Sequence, residues 1–351
     1  MKSKNVLITG ITGQDGAYLA KFLLKKNYNV FGAYRRLSTP NFWRLKDLKI
    51  DNDINYLSVD LLDFSSIIEA IKTSKPDEVY HLAAQSYVGA SFDQPITSIQ
   101  STGVAVTSML EAIRIVDPKI KFYQASSSEL YGNIGGKNQN ENTSFAPQSP
   151  YASSKLYGYW MTKIYRDAYD MFTTNGILFN HESPMRGLEF VTRKITNAVA
   201  RIKIGLDKEL RLGNLDSQRD WGYAPEYVEG MWKILQQKHP DDYVLATNET
   251  HTVKEFVKVA FEAAELDWKK FVKVDKKFFR LLDVNTLNGD YSKARKKLDW
   301  KPKTNFKKLV KIMVSADLDR WTRWKKGESF PWDANNYINE NKMLFRRYNK
   351  V

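Results

Sequence analysis

Residues Asn5–Thr9 run straight into Gly10, Gly13 and Gly16, and no other stretch narrows the possible folds of this chain as far. Val6, Leu7 and Ile8 are consecutive apolar residues, the pattern of a strand covered on both faces, as a parallel sheet between two helical layers requires. The glycines stand where the strand must turn sharply into a helix opening near Asp15. A turn without side chains leaves backbone N–H groups and the helix N-terminus open to a diphosphate. Their spacing is not the commonest dinucleotide fingerprint, so the strand before and the helix after carry the inference. Further short apolar runs at Val30–Tyr34, Ile54–Val59, Glu78–Leu82 and Lys121–Ala125 alternate with amphipathic segments such as Ala17–Lys26. Strand, helix, strand predicts an α/β chain: a doubly wound parallel sheet of the Rossmann kind. Past about Asp170 the regularity loosens, which predicts a smaller, mixed α/β substrate-binding domain at the C-terminal side. The expected division is 1–180 and 181–351, with some later segments interleaved into the sheet.

Composition removes several function classes. The chain has 351 residues and no cysteine, which excludes disulfides, thiolate nucleophiles and thiolate metal sites. Its four histidines, His81, His181, His239 and His251, are scattered in sequence, and no metal is expected. No apolar run is long enough for a membrane span, and the N-terminus reads directly into a strand; a cytoplasmic protein is the expectation. The formal charge is +14, and the last stretch from His251 carries 25 basic and 13 acidic residues. There Phe306, Leu309, Val310, Met313, Val314 and Leu318 recur at helical spacing, so the cations read as a solvated helix face and nucleic acid is not an expected partner. An aromatic segment with Trp321, Trp324, Phe330, Trp332 and Tyr337 is expected to pack back on the body or on another subunit.

Three further constellations bear on chemistry. At the end of the second strand, where NAD-binding chains place an acid, this chain has Tyr34-Arg35-Arg36; guanidinium groups there suit a ribose 2′-phosphate, so the expected cofactor is NADP. Asp60 and Leu61 follow the third strand as adenine-edge contacts, and Leu82-Ala83-Ala84 is small enough to let a nicotinamide pass. In Ser149-Pro150-Tyr151-Ala152-Ser153-Ser154-Lys155, serine is a good N-cap and proline a good first helical residue, so Tyr151 and Lys155 lie one turn apart on one face. An ammonium near a phenol is expected to pull its pKa down toward neutrality, making Tyr151 an acid/base for a sugar hydroxyl. Ser127 and Glu129 stand at the carboxyl end of the fifth strand, where ligands sit in open α/β sheets. A carboxylate there suits removal of a proton beside a new ketone.

With these residues in place the chain resembles the extended short-chain dehydrogenase/reductases, and among them the GDP-mannose 4,6-dehydratase family, from about Val6 to Met313. The resemblance rests on Gly10–Gly16, Tyr123–Gly132, Gly176–Pro184, Phe190–Ile195, Leu212–Asp216 and Arg219-Asp220-Trp221-Gly222. It implies a lyase that removes water from a GDP-sugar, GDP-mannose first, through an internal NADP-mediated cycle that leaves a GDP-4-keto-6-deoxy sugar. It implies Tyr151, Ser127, Glu129 and Lys155 as catalytic residues. NADP would be held by Gly10, Thr12, Gly13, Gln14, Asp15, Gly16, Arg35, Arg36, Asp60, Leu61, Leu82, Ala84, Ser86, Tyr151, Lys155, His181 and Arg186. The GDP-sugar would meet Ser86, Ser127, Glu129, Asn180, Val191, Lys194, Leu212, Gly213, Arg219, Arg280 and Asp283. The Arg35–Arg44 segment resembles a loop by which family members reach a neighbour's cofactor site, implying a homo-oligomer, tetramer or dimer.

The chain departs from the family pattern at Ser127, usually Thr; at Met185, usually Arg; and at Arg280-Leu281-Leu282-Asp283, usually Arg-Pro-x-Glu. These changes leave the sugar open between mannose and a GDP-manno-heptose. A GDP-sugar reductase or epimerase is the alternative activity. Glu129 and the lack of a cysteine acid/base speak for the dehydratase.

Overall fold

The computed structural model describes residues 3–38, 41–134, 138–279 and 282–328. Its centre is a seven-stranded sheet of β1 (Asn5–Thr9), β2 (Asn29–Tyr34), β3 (Asn55–Ser58), β4 (Glu78–His81), β5 (Lys121–Ser127), β6 (Thr173–Leu178) and β7 (Tyr243–Leu245). The spatial order is β7-β6-β5-β4-β1-β2-β3, and every neighbouring pair is parallel. The chain builds outward from β1 to β3, then crosses back to begin β4 on the other side of β1. This reversal opens a crevice beyond the carboxyl ends of β1 and β4.

Side-chain alternation in β1 explains its unbroken apolar run. Val6 and Ile8 enter one core, whereas Leu7 enters the opposite one. The first core lies under helices Gln14–Leu24 and Ala224–Leu235. On its opposite face the sheet is covered by Phe64–Ser74 and Ala105–Val116. Asp63 caps the helix at Phe64–Ser74 by accepting from Ser65 N at 3.0 Å, supplying one of the acceptors that a first turn lacks. Ser149 does the same for helix Pro150–Tyr169, accepting from Ala152 N at 3.1 Å. That cap, with Pro150 in the first turn, fixes the start of the helix carrying Tyr151 and Lys155.

The remaining elements form a second core in which helices Val191–Lys203, Val253–Ala263 and Phe306–Lys325 pack around Trp221, Phe256 and Phe306. Strands Val272–Val274 and Leu210–Leu212 pair in parallel at its edge. Interleaving is substantial: β7 and helix Ala224–Leu235 lie beyond residue 180 yet complete the first sheet and its cover. Phe306, Leu309, Val310, Met313 and Val314 are buried, with Leu318 partly so, leaving the intervening lysines on the outside. Trp321 is buried and donates from Nε1 to Asn197 Oδ1 at 2.6 Å, while Trp324 packs edge-on against it. The expectation for Phe330, Trp332 and Tyr337 falls outside the described residues. Among the described residues no helix is long and apolar enough to cross a membrane.

Candidate active site

The glycine-rich turn forms a cradle that admits no side chain. Gly10 has φ +72°, and a Cβ there would lie 2.9 Å from Ala83 N; a Cβ on Gly16 would lie 2.3 Å from Gly10 O. Real Cβ atoms essentially never come so close, so the β1 turn and the residues after β4 touch backbone to backbone. Thr9 reinforces that contact, its Oγ1 accepting from Leu82 N and Ala83 N, both at 3.1 Å. The helix then starts at Gln14 without a side-chain cap, leaving first-turn N–H groups available to an anion. A cavity of about 780 Å³ extends from this turn, with Gly10, Thr12, Gly13, Gln14, Asp15, Gly16, Arg35, Asp60, Leu61, Leu82, Ala84, Ser86 and Arg186 in its walls. Arg36 is absent from the walls and exposed. Only one guanidinium of the expected pair therefore faces the cavity.

Asp15 and His181 meet at the floor, His181 Nε2 lying 2.8 Å from Asp15 Oδ2. The other ring nitrogen, Nδ1, lies 2.7 Å from the carbonyl oxygen of Phe179. A carbonyl and a carboxylate only accept, so both ring nitrogens carry hydrogen and the ring is an imidazolium. Burial works against both charges, but each outweighs it for the other: His181 is raised, and Asp15 falls from 3.8 to about 2. The ring stacks on Tyr227 at 4.7 Å.

A second cavity, about 320 Å³, joins the first and contains Ser127, Glu129, Tyr151 and Lys155 in its walls. Strand β5 ends at Ser127, whose Oγ accepts from Glu129 N at 3.2 Å and starts a short 3-10 turn, Ser128–Leu130. The Tyr151 phenol lies beside Ser127, whose side chain favours its ionised form, so strand end and helix start meet at one hydroxyl. The expected drop in the Tyr151 pKa is not what the structure has. Burial pushes Tyr151 up to about 12 against the favourable effect of Ser127, with Glu129 adding to the rise. Lys155 Nζ lies 5.9 Å from the centre of the phenol ring and donates instead to Ala125 O at 2.6 Å. Burial also lowers Lys155 to about 8. Ser126 Oγ and Asn180 Oδ1 are buried in this wall with no protein partner, polar atoms of the sort a bound ligand satisfies.

Ser86, Asn180, Val191, Lys194, Gly213, Arg219 and Asp283 also face this cavity. Leu212 does not: it is packed in the second core, because the strand alternates and Leu212 shares the inward side with Leu210. Arg280 lies outside the described residues. Arg219 and Asp283 form an ion pair at 3.1 Å, and Arg219 also donates to Val284 O at 2.7 Å, so its guanidinium is held in a fixed direction. Burial lowers Lys194 to about 8, and its ammonium sits 3.8 Å from the centre of the Phe278 ring.

Sequence reasoning missed several contributors. Phe278 is one, and Phe190 is another, its ring centre 3.6 Å from the Arg186 guanidinium. Glu182, buried, lies 3.3 Å from Arg186 Nε. Glu182, Arg186 and Phe190 stand four apart, but in turns and not on a helix, so no helical periodicity marks them; Lys194 and Phe278 meet only when the chain folds back. The Arg35–Arg44 segment, expected to reach a neighbour, uses Arg44 within its own chain: Nη1 donates to Thr12 O at 3.0 Å and Nε to Met185 O at 2.8 Å.

Comparison with known proteins agrees with this geometry. A family profile described as GDP-mannose 4,6 dehydratase matches residues 7–313. The chain is 50% identical over 332 residues to GDP-mannose 4,6 dehydratase 1 of Arabidopsis thaliana, covering 92% of each. It is 45% identical over 344 residues to the GDP-mannose 4,6 dehydratase of Homo sapiens, covering 91% of this chain and 92% of that one. In fold it is similar to a solved dTDP-glucose 4,6-dehydratase from Bacillus anthracis, with TM-score 0.80, 20% identity and coverage of 93% and 100%. A solved UDP-glucose 4-epimerase from Thermus thermophilus gives TM-score 0.78, 22% identity and coverage of 89% and 98%. With a family profile spanning most of its length and relatives at this identity, the chain belongs to the GDP-mannose 4,6-dehydratase family.

Proposed function

We propose that this chain is a hydro-lyase converting GDP-mannose to the GDP-4-keto-6-deoxy sugar, with NADP as its resident cofactor. The observation that carries the reading is the junction of two cavities: a side-chain-free glycine cradle opens into walls holding Ser127, Glu129, Tyr151 and Lys155. The cradle fits a dinucleotide diphosphate, and Arg35 in its far wall fits a 2′-phosphate. When bound, the cofactor supplies a transient acceptor for the hydrogen taken from C4, which it returns at C6, so no net oxidation results.

The chain's own residues then handle protons and orientation. Tyr151 Oη, which burial alone keeps protonated, would become the base once the positive charge of the oxidised nicotinamide lies beside it; it then takes the C4 hydroxyl proton, and Ser127, next to that phenol, orients the C4 oxygen. Lys155, locked by Ala125 O, keeps positive charge on the same helix face as Tyr151. Glu129 removes the C5 proton, acidified by the C4 ketone, and passes a proton to the C6 hydroxyl as it leaves as water. The C5 carbanion is stabilised through the carbonyl, so the step needs only a base at C5 and an acid at C6, roles one carboxyl group fills in turn. Lys194, Asn180 and the fixed Arg219–Asp283 pair hold the nucleotide end.

We also place this chemistry in a cytoplasmic homo-oligomer. Ile96, Ile99, Val104, Tyr157, Trp160 and Ile164 stand exposed on two helical segments packed together, and an apolar patch of that kind favours self-association. Mass spectrometry of the purified protein with GDP-mannose and no added reductant tests the activity. Loss of one water without net cofactor reduction is expected; intact GDP-mannose, or accumulation of reduced cofactor, would overturn the reading.

A further inference from the structure

Three successive carbonyl oxygens of the Pro184–Arg186 turn accept from guanidinium groups. Pro184 O receives Arg193 Nη1 at 2.6 Å and Arg320 Nη1 at 2.7 Å. Met185 O receives Arg44 Nε at 2.8 Å, and Arg186 O receives Arg193 Nη1 at 3.0 Å. The turn is tied forward as well, since Ser183 Oγ donates to Gln14 Oε1 at 2.7 Å, at the opening of the cradle helix. Arg186, the last residue of the turn, faces both cavities.

One carboxylate organises the two guanidiniums that come from the far side. Asp317, fully buried on helix Phe306–Lys325, lies 2.7 Å from Arg193 Nη2 and 3.1 Å from Arg320 Nη1. It also accepts from Thr196 Oγ1 at 2.6 Å. Asp47 approaches Arg320 more distantly, at 3.7 Å. Without the Asp317 charge, two adjacent buried cations would repel, and the fork that sets the direction of each N–H would lose its partner.

We propose that Asp317 is a positioning residue: through Arg193 and Arg320 it fixes the Pro184–Arg186 turn and thereby aims Arg186 at the cofactor. The inference rests on the cofactor reading given above. It concerns a residue of the C-terminal helix that faces neither cavity. Helix Val191–Lys203, which carries Lys194, has independent support from Ile195, Val199 and Ile202 in the second core. The turn depends far more on the guanidinium donors, so loss of Asp317 falls on the cofactor end first.

The test is binding, measured separately for the two ends of the site. NADPH affinity is read by fluorescence titration and GDP affinity by calorimetry, on the folded full chain. Asp317→Asn keeps shape and removes charge; it is expected to weaken NADPH by about tenfold, the scale of one charged hydrogen bond, while GDP affinity changes less than about twofold. Asp317→Glu, restoring the charge, is expected to recover part of the loss. Unchanged NADPH affinity in Asp317→Asn, or NADPH and GDP affinities falling together, would overturn the proposal. Should Asp317→Asn fail to fold, Arg320→Lys decides alone: it removes the Nη1 donor that Pro184 O and Asp317 share, and selective NADPH weakening is expected, equal or absent weakening being contrary. Wild-type protein that binds GDP but no NADPH would sink the cofactor reading itself and this inference with it, an outcome distinct from a defect seen only in the variants.

Discussion

Replacing Asp15 with Asn removes the charge opposite His181 while keeping the shape of the side chain. The fall of the Asp15 pKa from 3.8 to about 2 corresponds to ~2 kcal/mol of folding stability near neutral pH. That contribution is present above the unfolded carboxyl value and is lost as pH falls through about 2. The partner has the opposite sign. His181 is raised above 6.5, so its contribution is complete below that value and fades as pH climbs through the folded one. At high pH the neutral ring, still donating from Nδ1 to Phe179 O, presents a bare Nε2 to Asp15, and an amide that can donate there does as well as a carboxylate or better. Urea unfolding of wild type and Asp15→Asn without cofactor is the assay. The variant should be less stable by ~2 kcal/mol at about pH 6, and the gap should close at high pH, once the ring has lost its charge. A gap of the same size at both pH values, or none at pH 6, would refute the imidazolium assignment.

Three other outcomes follow from the site. Tyr151→Phe should lower turnover by at least about a hundredfold while NADPH titration and thermal unfolding stay close to wild type, since only a proton-transfer group is lost; activity within a few-fold of wild type would remove Tyr151 from the chemistry. For Glu129→Gln, rapid mixing with GDP-mannose should show a rise in nicotinamide absorbance with little dehydrated product by mass spectrometry, whereas product at the normal rate would contradict its role at C5. Arg35→Ala should weaken NADP by ~1–2 kcal/mol, about five- to thirtyfold, and leave NAD almost unchanged; equal losses for both would mean that Arg35 does not meet a 2′-phosphate.

The parts of this structure that depend on local periodicity are legible in the chain, and the parts that depend on long-range closure are not. Val6-Leu7-Ile8 fills both cores because adjacent strand residues face opposite sides and all three are apolar. Ser149, Pro150, Tyr151 and Lys155 specify a helix start and a face within seven residues, and the structure turns that face inward. Arg36 and Leu212 show the limit of carrying a motif across whole: each lies beside a residue facing a cavity without facing it itself. The Asp15–His181 pair joins positions 166 apart, and Arg193 meets Asp317 across 124; nothing in either neighbourhood marks the partner. The Tyr151 pKa went the other way for a related reason. One helical turn brings Lys155 near, but its ammonium turns to Ala125 O, and burial of the phenol, which comes from the packing of several elements, sets the direction.

The central claim is that hydrogen leaves C4 and returns at C6 of one sugar while water is lost. GDP-mannose deuterated at C4, incubated with the purified chain in unlabelled water and without added reductant, tests it most directly. The account predicts a product lighter by one water that retains the deuterium on its C6 methyl group. Deuterium lost to solvent or left on reduced cofactor, or a sugar that keeps its water, would contradict it.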